Sequence, residues 1–204
     1  MVSPSRWVLA TGNPGKLREL ATLVADAGLA AVEILPQADF GVTPPQETAT
    51  TFVENALAKA RHAARATGLP SIADDSGLAV AALGGAPGVR SARYAGPAAD
   101  DRANVAKLLT ALGERAPAER AAVFHCVLVA LRDPDDPAPL IATGRWLGRI
   151  ATAPEGAGGF GYDPVFFVPA LGKTAAQLDA AEKNRLSHRG QALRRLVARL
   201  RGDI

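Results

Sequence analysis

The chain has 204 residues and one cysteine, with 48% hydrophobic residues, 21% charged residues and a formal net charge of +3. This length suits one domain with a large core, and the composition is ordinary for a globular protein. The small net charge does not favour a nucleic-acid-binding domain. One cysteine excludes a disulfide framework, and no apolar run has the length of a membrane span. We therefore expect a cytoplasmic protein with a single domain over residues 1–204, and neither nucleic acid nor a membrane as a partner.

The first segment predicts a strand, a glycine-bearing turn and a helix. Trp7–Ala10 is apolar, Thr11–Lys16 reads Thr-Gly-Asn-Pro-Gly-Lys, and apolar residues then recur at helical spacing. Asn13 suits the N-cap and Pro14 the first helical position. Such a helix N-terminus attracts anions, and Lys16 adds a full positive charge. The spacing is not that of a P-loop, so the pattern indicates either an anion site or a plain capped turn.

A second strand is predicted at Val32–Leu35, followed by a surface loop over Pro36–Thr48. Thr51 and Glu54 form a capping-box pattern at the start of a predicted helix, Phe52–Thr67. Three polar residues of this helix share one face: Asn55, Lys59 and His62. A polar stripe is usually the solvated side of a helix, and it matters for function only where that side lines a cleft.

Two adjacent carboxylates follow the apolar run Leu69–Ala73, which reads as a strand. At the end of this strand, in Asp74-Asp75-Ser76-Gly77, we expect the chain to twist so that both acids reach one cavity. Two carboxylates repel unless a cation or proton lies between them, and Mg²⁺ suits carboxylate oxygens. The alternative is an ordinary turn, since Asp, Ser and Gly are common turn residues.

The second half of the chain predicts further strands and helices. Asp100–Leu112 has helical spacing, and Ala121–Leu131 with Leu140–Ile150 reads as a long antiparallel pair. The first strand of this pair is nearly all apolar, hence central, and its Cys126 is expected in the core. A strand at Val165–Val168 and a final helix after Ser187 complete the pattern.

A glycine-rich segment at 156–164 carries Phe160, Tyr162 and Asp163. Glycines allow close backbone approach, aromatic rings stack on a planar base, and a carboxylate hydrogen-bonds a base edge. The segment therefore indicates either a base-holding loop or a glycine-rich hairpin whose aromatic side chains pack inward.

Four motifs in this order resemble the noncanonical purine nucleoside triphosphate pyrophosphatases, the inosine/xanthosine triphosphatases. They are Thr-Gly-Asn-x-Gly-Lys at 11–16, Asp-Asp-Ser-Gly-Leu at 74–78, Gly-Gly-Phe-Gly-Tyr-Asp-Pro at 158–164 and Ser-His-Arg-Gly at 187–190. The resemblance extends from Trp7 to about Leu200. It implies an α/β fold with a long mixed β-sheet flanked by helices, two lobes with a central substrate cleft, and a homodimer. It also implies Mg²⁺-dependent hydrolysis of ITP, dITP and XTP to the nucleoside monophosphate and pyrophosphate, which cleanses the nucleotide pool.

The same resemblance implies roles for single residues. Asp75 matches the catalytic proton acceptor and a metal ligand, and Asp74 and Glu47 match further acids of the metal site. The implied substrate contacts comprise the phosphate-binding turn, a phosphate-facing lysine, a contact beside the acids and the base-binding set: Thr11, Gly12, Asn13, Pro14, Gly15, Lys16, Lys59, Ser76, Phe160, Gly161, Tyr162, Asp163, Lys183, His188 and Arg189. Relatives often carry Glu-Glu-Thr where this chain has Gln46-Glu47-Thr48, so the residue that completes the metal site stays open.

Two other functions are compatible with parts of the sequence. A non-catalytic nucleotide sensor or RNA-binding module would keep the base loop and the basic groups, but acids beside phosphates repel them unless a metal is present. A triphosphatase acting on pyrimidine nucleotides would keep the acids and read a different base. Donors from Lys183, His188 and Arg189 favour the acceptor at position 6 of hypoxanthine and xanthine over the amino group of adenine.

Overall fold

The computed structural model describes residues 5–26, 32–98 and 100–201. Its strands are β1 (Ser5–Ala10), β2 (Val32–Pro36), β3 (Ser71–Val80), β4 (Ala121–Leu131), β5 (Leu140–Ile150), β6 (Phe166–Val168) and β7 (Lys173–Thr174). Its α-helices are α1 (Pro14–Asp26), α2 (Phe52–Thr67), α3 (Asp101–Leu112), α4 (Ala180–Leu186) and α5 (His188–Leu200). No helix among these described residues is long and apolar enough to cross a membrane.

The strands form one seven-stranded sheet in the order β2-β1-β3-β4-β5-β6-β7. β1 pairs in parallel with β2 and with β3, whereas β6 pairs antiparallel with β5 and with β7. The sheet is therefore mixed and accompanied by helices, which confirms the predicted α/β class. Thr51 caps α2 by accepting from the Glu54 N–H at 3.3 Å, as the capping-box pattern predicted.

Several predicted boundaries are corrected. The segment predicted as a loop over 36–48 begins with a 3-10 helix at Gln37–Phe40, and the strand predicted from Val165 begins at Phe166 after another 3-10 turn. The short helix α4 was not predicted. Each of these elements has at most seven residues, which is too short for a clear periodic pattern.

The structure differs most from the sequence prediction at the two adjacent acids, Asp74 and Asp75. Asp74 to Gly77 do not form a turn at a strand end but lie inside the continuous strand β3, which is buried along most of its length. The prediction of a turn was wrong because tertiary burial between β1 and β4 outweighed the turn preference of Asp, Ser and Gly.

The chain divides into two compact units. The first comprises the described parts of residues 1–75, 126–144 and 189–204, and the second comprises those of residues 76–125 and 145–188. The expectation of a single two-lobed domain stays a prediction.

In the first unit, alternate residues of each strand face different helices, because successive side chains of a strand point to opposite faces. Leu9 of β1 and Ile72 of β3 belong to a buried cluster with Leu20 of α1 and Leu193 of α5. Their strand neighbours belong to a second buried cluster with the alanine face of α2: Val8, Ala10, Ala73, Ala56, Ala60 and Ala63. We call these two sides the α1/α5 face and the α2 face. Cys126 is buried on the α1/α5 face, which confirms it as a core residue.

The second unit has its own core, built around Phe124, Trp146 and Phe166 with Leu108 and Leu112 of α3. Arg120 is buried beside it and donates hydrogen bonds to the carbonyl oxygens of residues 113, 150 and 151 at 2.8–3.0 Å. These bonds satisfy a buried guanidinium without a carboxylate partner and tie the end of β5 to the turn after α3.

Candidate active site

Strand alternation separates the two adjacent acids of β3. Asp74 has the parity of Ile72 and lies on the α1/α5 face, where its Oδ2 accepts from Lys16 Nζ at 2.9 Å. Asp75 has the parity of Ala73 and lies on the α2 face, where its Oδ1 accepts from Lys59 Nζ at 3.1 Å. The twist expected to bring both carboxylates into one cavity is absent from β3, because this strand continues through both residues.

Asp75 is the centre of a buried polar cluster with α2. Lys59 Nζ also donates to Glu47 Oε1 at 2.6 Å, so one ammonium group bridges two carboxylates. Asn55 Nδ2 donates to the other oxygen of Asp75, Oδ2, at 3.2 Å. Asn55 and Lys59 are only 2% and 6% exposed. The polar stripe of α2 is therefore not a solvated face at these two positions.

The environment of this cluster shifts its proton affinities. Burial raises the pKa of Asp75, the Glu47 charge adds to this shift, and Lys59 opposes it. Burial alone would lower the pKa of Lys59, but the negative charges of Asp74, Asp75 and Glu47 outweigh burial and raise it. Asp75 is thus a carboxylate with increased basicity held against a protonated lysine, which is the property that a general base needs.

Asp74 has the opposite character. Although burial favours its neutral form, Lys16, Lys59 and Arg189 together lower the pKa of Asp74 to about 2. Arg189 Nε lies 3.9 Å from Asp74 Oδ2, and the Arg189 guanidinium also forms an ion pair with Glu19 of α1. Asp74 is therefore an anion at neutral pH that lies among cations, suited to orienting Lys16 and Arg189 rather than to accepting a proton.

The turn before α1 is closed by its own side chains. Asn13 Oδ1 accepts from the N–H groups of Gly15 and Lys16 at 2.9 and 3.1 Å, which confirms Asn13 as a helix cap. Thr11 Oγ1 accepts from the Asn13 N–H at 3.2 Å. A Cβ at Gly12 would lie 2.9 Å from Pro44 Cγ, so this position has little room for a side chain. The Pro14 side chain lies outside the described residues, and the anion site at this turn stays a prediction.

Glu47 and Asp75 both contact the Lys59 ammonium. Mg²⁺ typically takes one or two protein carboxylates and completes its shell with water and phosphate oxygens, so this pair fits such an ion. Among residues 5–26, 32–98 and 100–201, no three His, Cys, Asp or Glu side chains gather closely enough to hold a metal by themselves. Gln46 is exposed, whereas Glu47 contacts the buried Lys59.

In the second unit, the glycine-rich segment is organised by Asp163. Its Oδ2 accepts from the Phe160 N–H at 2.8 Å and from Lys183 Nζ at 2.7 Å. Lys183 Nζ also lies 5.0 Å from the centroid of the Phe160 ring. Tyr162 is buried and its hydroxyl donates to the Ser91 carbonyl at 2.8 Å, whereas Phe160 is partly exposed. The inward-packing alternative therefore holds for Tyr162 but not for Phe160.

The predicted base-reading pair His188 and Arg189 is divided between the two units. The buried His188 ring stacks on Phe124 in the second unit, with ring centroids 4.7 Å apart and an interplanar angle of 7°. Arg189 joins Asp74 and Glu19 in the first unit. Ser76, the residue after Asp75 on β3, is partly exposed and begins the second unit. Base reading by His188 and Arg189 stays a prediction.

Comparison with known proteins identifies the family. Residues 7–199 match the family model described as the Ham1 family. This chain belongs to the Ham1 family. The dITP/XTP pyrophosphatase of Burkholderia pseudomallei (strain K96243) is 61% identical over 203 residues, which cover 98% of this chain and 95% of that protein. The dITP/XTP pyrophosphatase of Yersinia pseudotuberculosis serotype I (strain IP32953) is 60% identical over 194 residues, covering 95% of this chain and 97% of that protein.

Two solved structures are similar to this chain over nearly its whole length. The structure of a HAM1 protein from Coxiella burnetii is 50% identical, with a TM-score of 0.89, and the match covers 97% of this chain and 99% of that one. The crystal structure of the nucleoside-triphosphatase / dITP/XTP pyrophosphatase from Mycobacterium abscessus is 41% identical, with a TM-score of 0.75, and the match covers 96% of this chain and 99% of that one.

Three residues of this Ham1-family chain take part in these clusters although the motifs did not assign them. Asn55 contacts Asp75, Glu19 contacts Arg189, and Asp101 Oδ2 accepts from the Gly161 N–H at 2.7 Å. The helical spacing from Asn55 to Lys59 was a usable signal. Glu19 and Asp101 meet partners that are 170 and 60 residues away in sequence, so local spacing held no signal for either contact.

Proposed function

We propose that this chain hydrolyses ITP, dITP and XTP to the nucleoside monophosphate and pyrophosphate, and so removes these nucleotides from the cellular pool. The observation that carries the proposal is identity of 60–61%, over nearly the whole chain, to proteins named dITP/XTP pyrophosphatase. The buried acid and lysine clusters of the first unit and the aromatic loop of the second supply the chemistry that such a reaction needs.

The triphosphate end is assigned to the first unit. Lys16 and Lys59 offer positive charge to phosphoryl oxygens, and the N-terminus of α1 adds the partial positive charge of a helix end. Both lysines are already held by carboxylates, so they are oriented before substrate arrives. Oriented charge that needs no rearrangement is an efficient way to stabilise the charge that develops during phosphoryl transfer.

Asp75 is the proposed general base. Its raised pKa makes it a better proton acceptor than an ordinary aspartate, and Asn55 and Lys59 fix its two oxygens. A water held by Asp75 would give a proton to this carboxylate and form a bond to the α-phosphorus, while the bond from the α-phosphorus to the bridging oxygen breaks and pyrophosphate leaves. Glu47 and Asp75 are the residues that would hold Mg²⁺, and the ion would neutralise charge on the phosphoryl oxygens. Asp74 as a further ligand stays a prediction, since it lies on the other face of β3 from Asp75.

The proposed purine contacts are Phe160, Lys183, His188 and Arg189. Phe160 is the partly exposed ring on which the base stacks, and Lys183, His188 and Arg189 are the proposed donors to the 6-oxygen. Asp163 already accepts from the Phe160 N–H and from Lys183 Nζ, so we assign it to shaping this loop. An adenine base would leave a donor unpaired, which typically costs about 1–3 kcal/mol.

A nucleotide panel tests this function. Phosphate is measured colorimetrically with and without added inorganic pyrophosphatase, using ITP, dITP, XTP, the common purine triphosphates and pyrimidine triphosphates. We expect phosphate release from ITP, dITP and XTP only when the auxiliary enzyme is present, because the first product is pyrophosphate. A nucleoside diphosphate as first product contradicts the reaction, preference for pyrimidines contradicts the substrate class, and binding without turnover favours a sensor.

We also propose that the protein is a cytoplasmic homodimer that requires Mg²⁺. The dimer rests on the family resemblance, and the cytoplasm on the single, buried cysteine. Light scattering at micromolar concentration checks the dimer, and a monomer there contradicts it. Titration of Mg²⁺ into the metal-stripped enzyme checks the metal, and full activity at zero Mg²⁺ contradicts the requirement.

A further inference from the structure

The loop that carries Phe160 is held by two carboxylates from different parts of the second unit. Asp163 Oδ2 accepts from the Phe160 N–H at 2.8 Å, and Asp101 Oδ2 accepts from the Gly161 N–H at 2.7 Å. These N–H groups belong to consecutive peptide planes, one on each side of the Phe160 Cα. Because the peptide unit is planar, holding both planes restricts the two backbone dihedrals between them. The two bonds together therefore set the direction in which the Phe160 ring leaves the chain.

The peptide that joins Phe160 to Gly161 is held at both of its polar groups: the Gly161 N–H donates to Asp101, and the Phe160 carbonyl oxygen accepts from the Asp163 N–H at 3.3 Å. Gly161 has no side chain to pack, its φ is 62°, and a Cβ built there would meet nothing within 4 Å. The bond to Asp163 is local to the loop, so Asp101 is the hydrogen-bond partner that ties this peptide to another element of the second unit. The next residue, Tyr162, is buried, and its hydroxyl donates a hydrogen bond to the Ser91 carbonyl oxygen. This side chain therefore anchors the loop on the C-terminal side of Gly161.

Asp101 reaches the loop from a well-supported helix. It is the first residue of α3, whose Val105, Leu108 and Leu112 belong to the core of the second unit. The preceding residue, Asp100, is the N-cap and accepts from the Ala103 N–H at 2.8 Å. Two neighbouring aspartates therefore have separate partners: Asp100 caps the helix, and Asp101 binds the loop.

We propose that Asp101 is a positioning residue for purine binding: through the Gly161 N–H it orients Phe160 for stacking on the base. This inference rests on the proposed function, because it takes Phe160 as the stacking ring. Asp101 touches neither the base nor the reacting phosphate in this role. Its effect is on substrate affinity, since a stacking contact remote from the cleaved bond is equal in the ground state and the transition state.

The first test compares Asp101→Ala, Asp101→Asn and Asp100→Ala in steady-state hydrolysis of dITP. Loss of one charge-assisted hydrogen bond at an exposed site predicts a rise in KM of about threefold to tenfold for Asp101→Ala, with kcat unchanged. Asp101→Asn keeps an oxygen that can accept from Gly161 and should restore most of the affinity. Asp100→Ala should lower the melting temperature by loss of a helix cap while KM stays at the parent value. A parental KM in Asp101→Ala overturns the proposal.

A double-mutant cycle with Phe160→Ala tests whether Asp101 acts through the ring. If it does, Asp101→Ala raises KM in the parent but adds nothing in the Phe160→Ala background. Equal KM increases in both backgrounds would show that Asp101 acts on substrate by another route, and the proposal would be overturned.

A measurement without nucleotide separates this inference from the proposed function. Asp101→Ala should accelerate hydrogen exchange of the Gly161 amide, followed by NMR, whereas Asp101→Asn should keep its protection. If the Gly161 amide exchanges at the parental rate in Asp101→Ala, Asp101 does not hold this loop. The proposal is then overturned even if the enzyme hydrolyses dITP. If exchange responds as expected but the parent does not hydrolyse dITP, the proposed function is overturned, and the role in purine binding with it.

Discussion

Lys59 Nζ lies 3.1 Å from Asp75 Oδ1, and both side chains are almost fully buried. The same ammonium lies 2.6 Å from Glu47 Oε1, so a single positive charge stabilises two carboxylates that would otherwise repel each other. Breaking a buried ion pair from one side leaves an uncompensated charge, which makes this contact a sensitive place to test the site.

Replacement of Asp75 by Asn should abolish turnover and leave the fold intact, because Glu47 still pairs with the Lys59 ammonium. Asn keeps the size of the side chain but loses the charge and the basicity, and general-base assistance is typically worth about 10²–10⁴ in rate. Steady-state dITP hydrolysis paired with thermal melting checks this. A variant that melts like the parent and keeps most of its activity would contradict Asp75 as the base and move the assignment to Glu47.

Replacement of Lys59 by Met should move the acid limb of the pH dependence of kcat/KM to higher pH. Asp75 acts in its deprotonated form, so activity is present above its pKa in the folded protein and is lost as pH falls through that pKa. Burial and Glu47 already raise this pKa while Lys59 opposes them, so removing Lys59 raises it further. Lys59→Arg keeps a positive charge and serves as the control. A limb that stays in place or moves to lower pH in Lys59→Met would contradict the assignment.

Asp74 should stabilise the fold at neutral pH and lose this contribution in acid. Its pKa is lowered from 3.8 to about 2, so its stabilising effect is complete above the unfolded-state value and disappears as pH falls through the folded-state value. The difference corresponds to about 2 kcal/mol in the free energy of unfolding. Chemical denaturation of the parent and Asp74→Asn between pH 6 and pH 2 checks this. A stability difference that does not shrink below about pH 4 would contradict it.

Gly159→Ala should impair nucleotide binding more than Gly161→Ala. Both glycines have positive φ, at 71° and 62°, so each alanine carries a similar conformational cost of about 1–2 kcal/mol. Only at Gly159 would the new Cβ collide with the Asp163 carboxylate, at 2.1 Å from Oδ2, and displace the group that holds Phe160 and Lys183. Melting temperatures and KM for dITP are compared in the two variants. A larger KM effect in Gly161→Ala would show that Asp163 does not shape the loop.

The Cys126 thiol should be inert in the native protein. Burial raises the pKa of Cys126 to about 12, and the thiolate is the reactive form. Ellman's reagent at pH 8 should therefore find no reactive thiol in the folded chain and one per chain in guanidinium chloride, since the sequence has a single cysteine. Rapid labelling of the native protein would show that the α1/α5 face opens at Cys126.

Local patterns were enough to predict much of the fold. The Thr51 capping box, the helical spacing of α3 and the apolar run of β4 each follow from interactions within a few residues, and each is present in the structure. Asn13 likewise caps α1 because its side chain reaches amides two and three residues ahead.

Long-range burial decided the rest. By itself, the sequence of this Ham1-family chain determined the α/β class, the cap residues, the buried cysteine and, through four motifs, the candidate site residues. Only the tertiary structure decided that Asp74 and Asp75 lie within one strand and face different helices, and that one lysine bridges Glu47 and Asp75. It also decided that Asp101 binds Gly161. The physical reason is that the side-chain direction of a strand residue depends on whether the strand continues, and continuation of β3 was set by burial between β1 and β4 rather than by its own turn-forming residues.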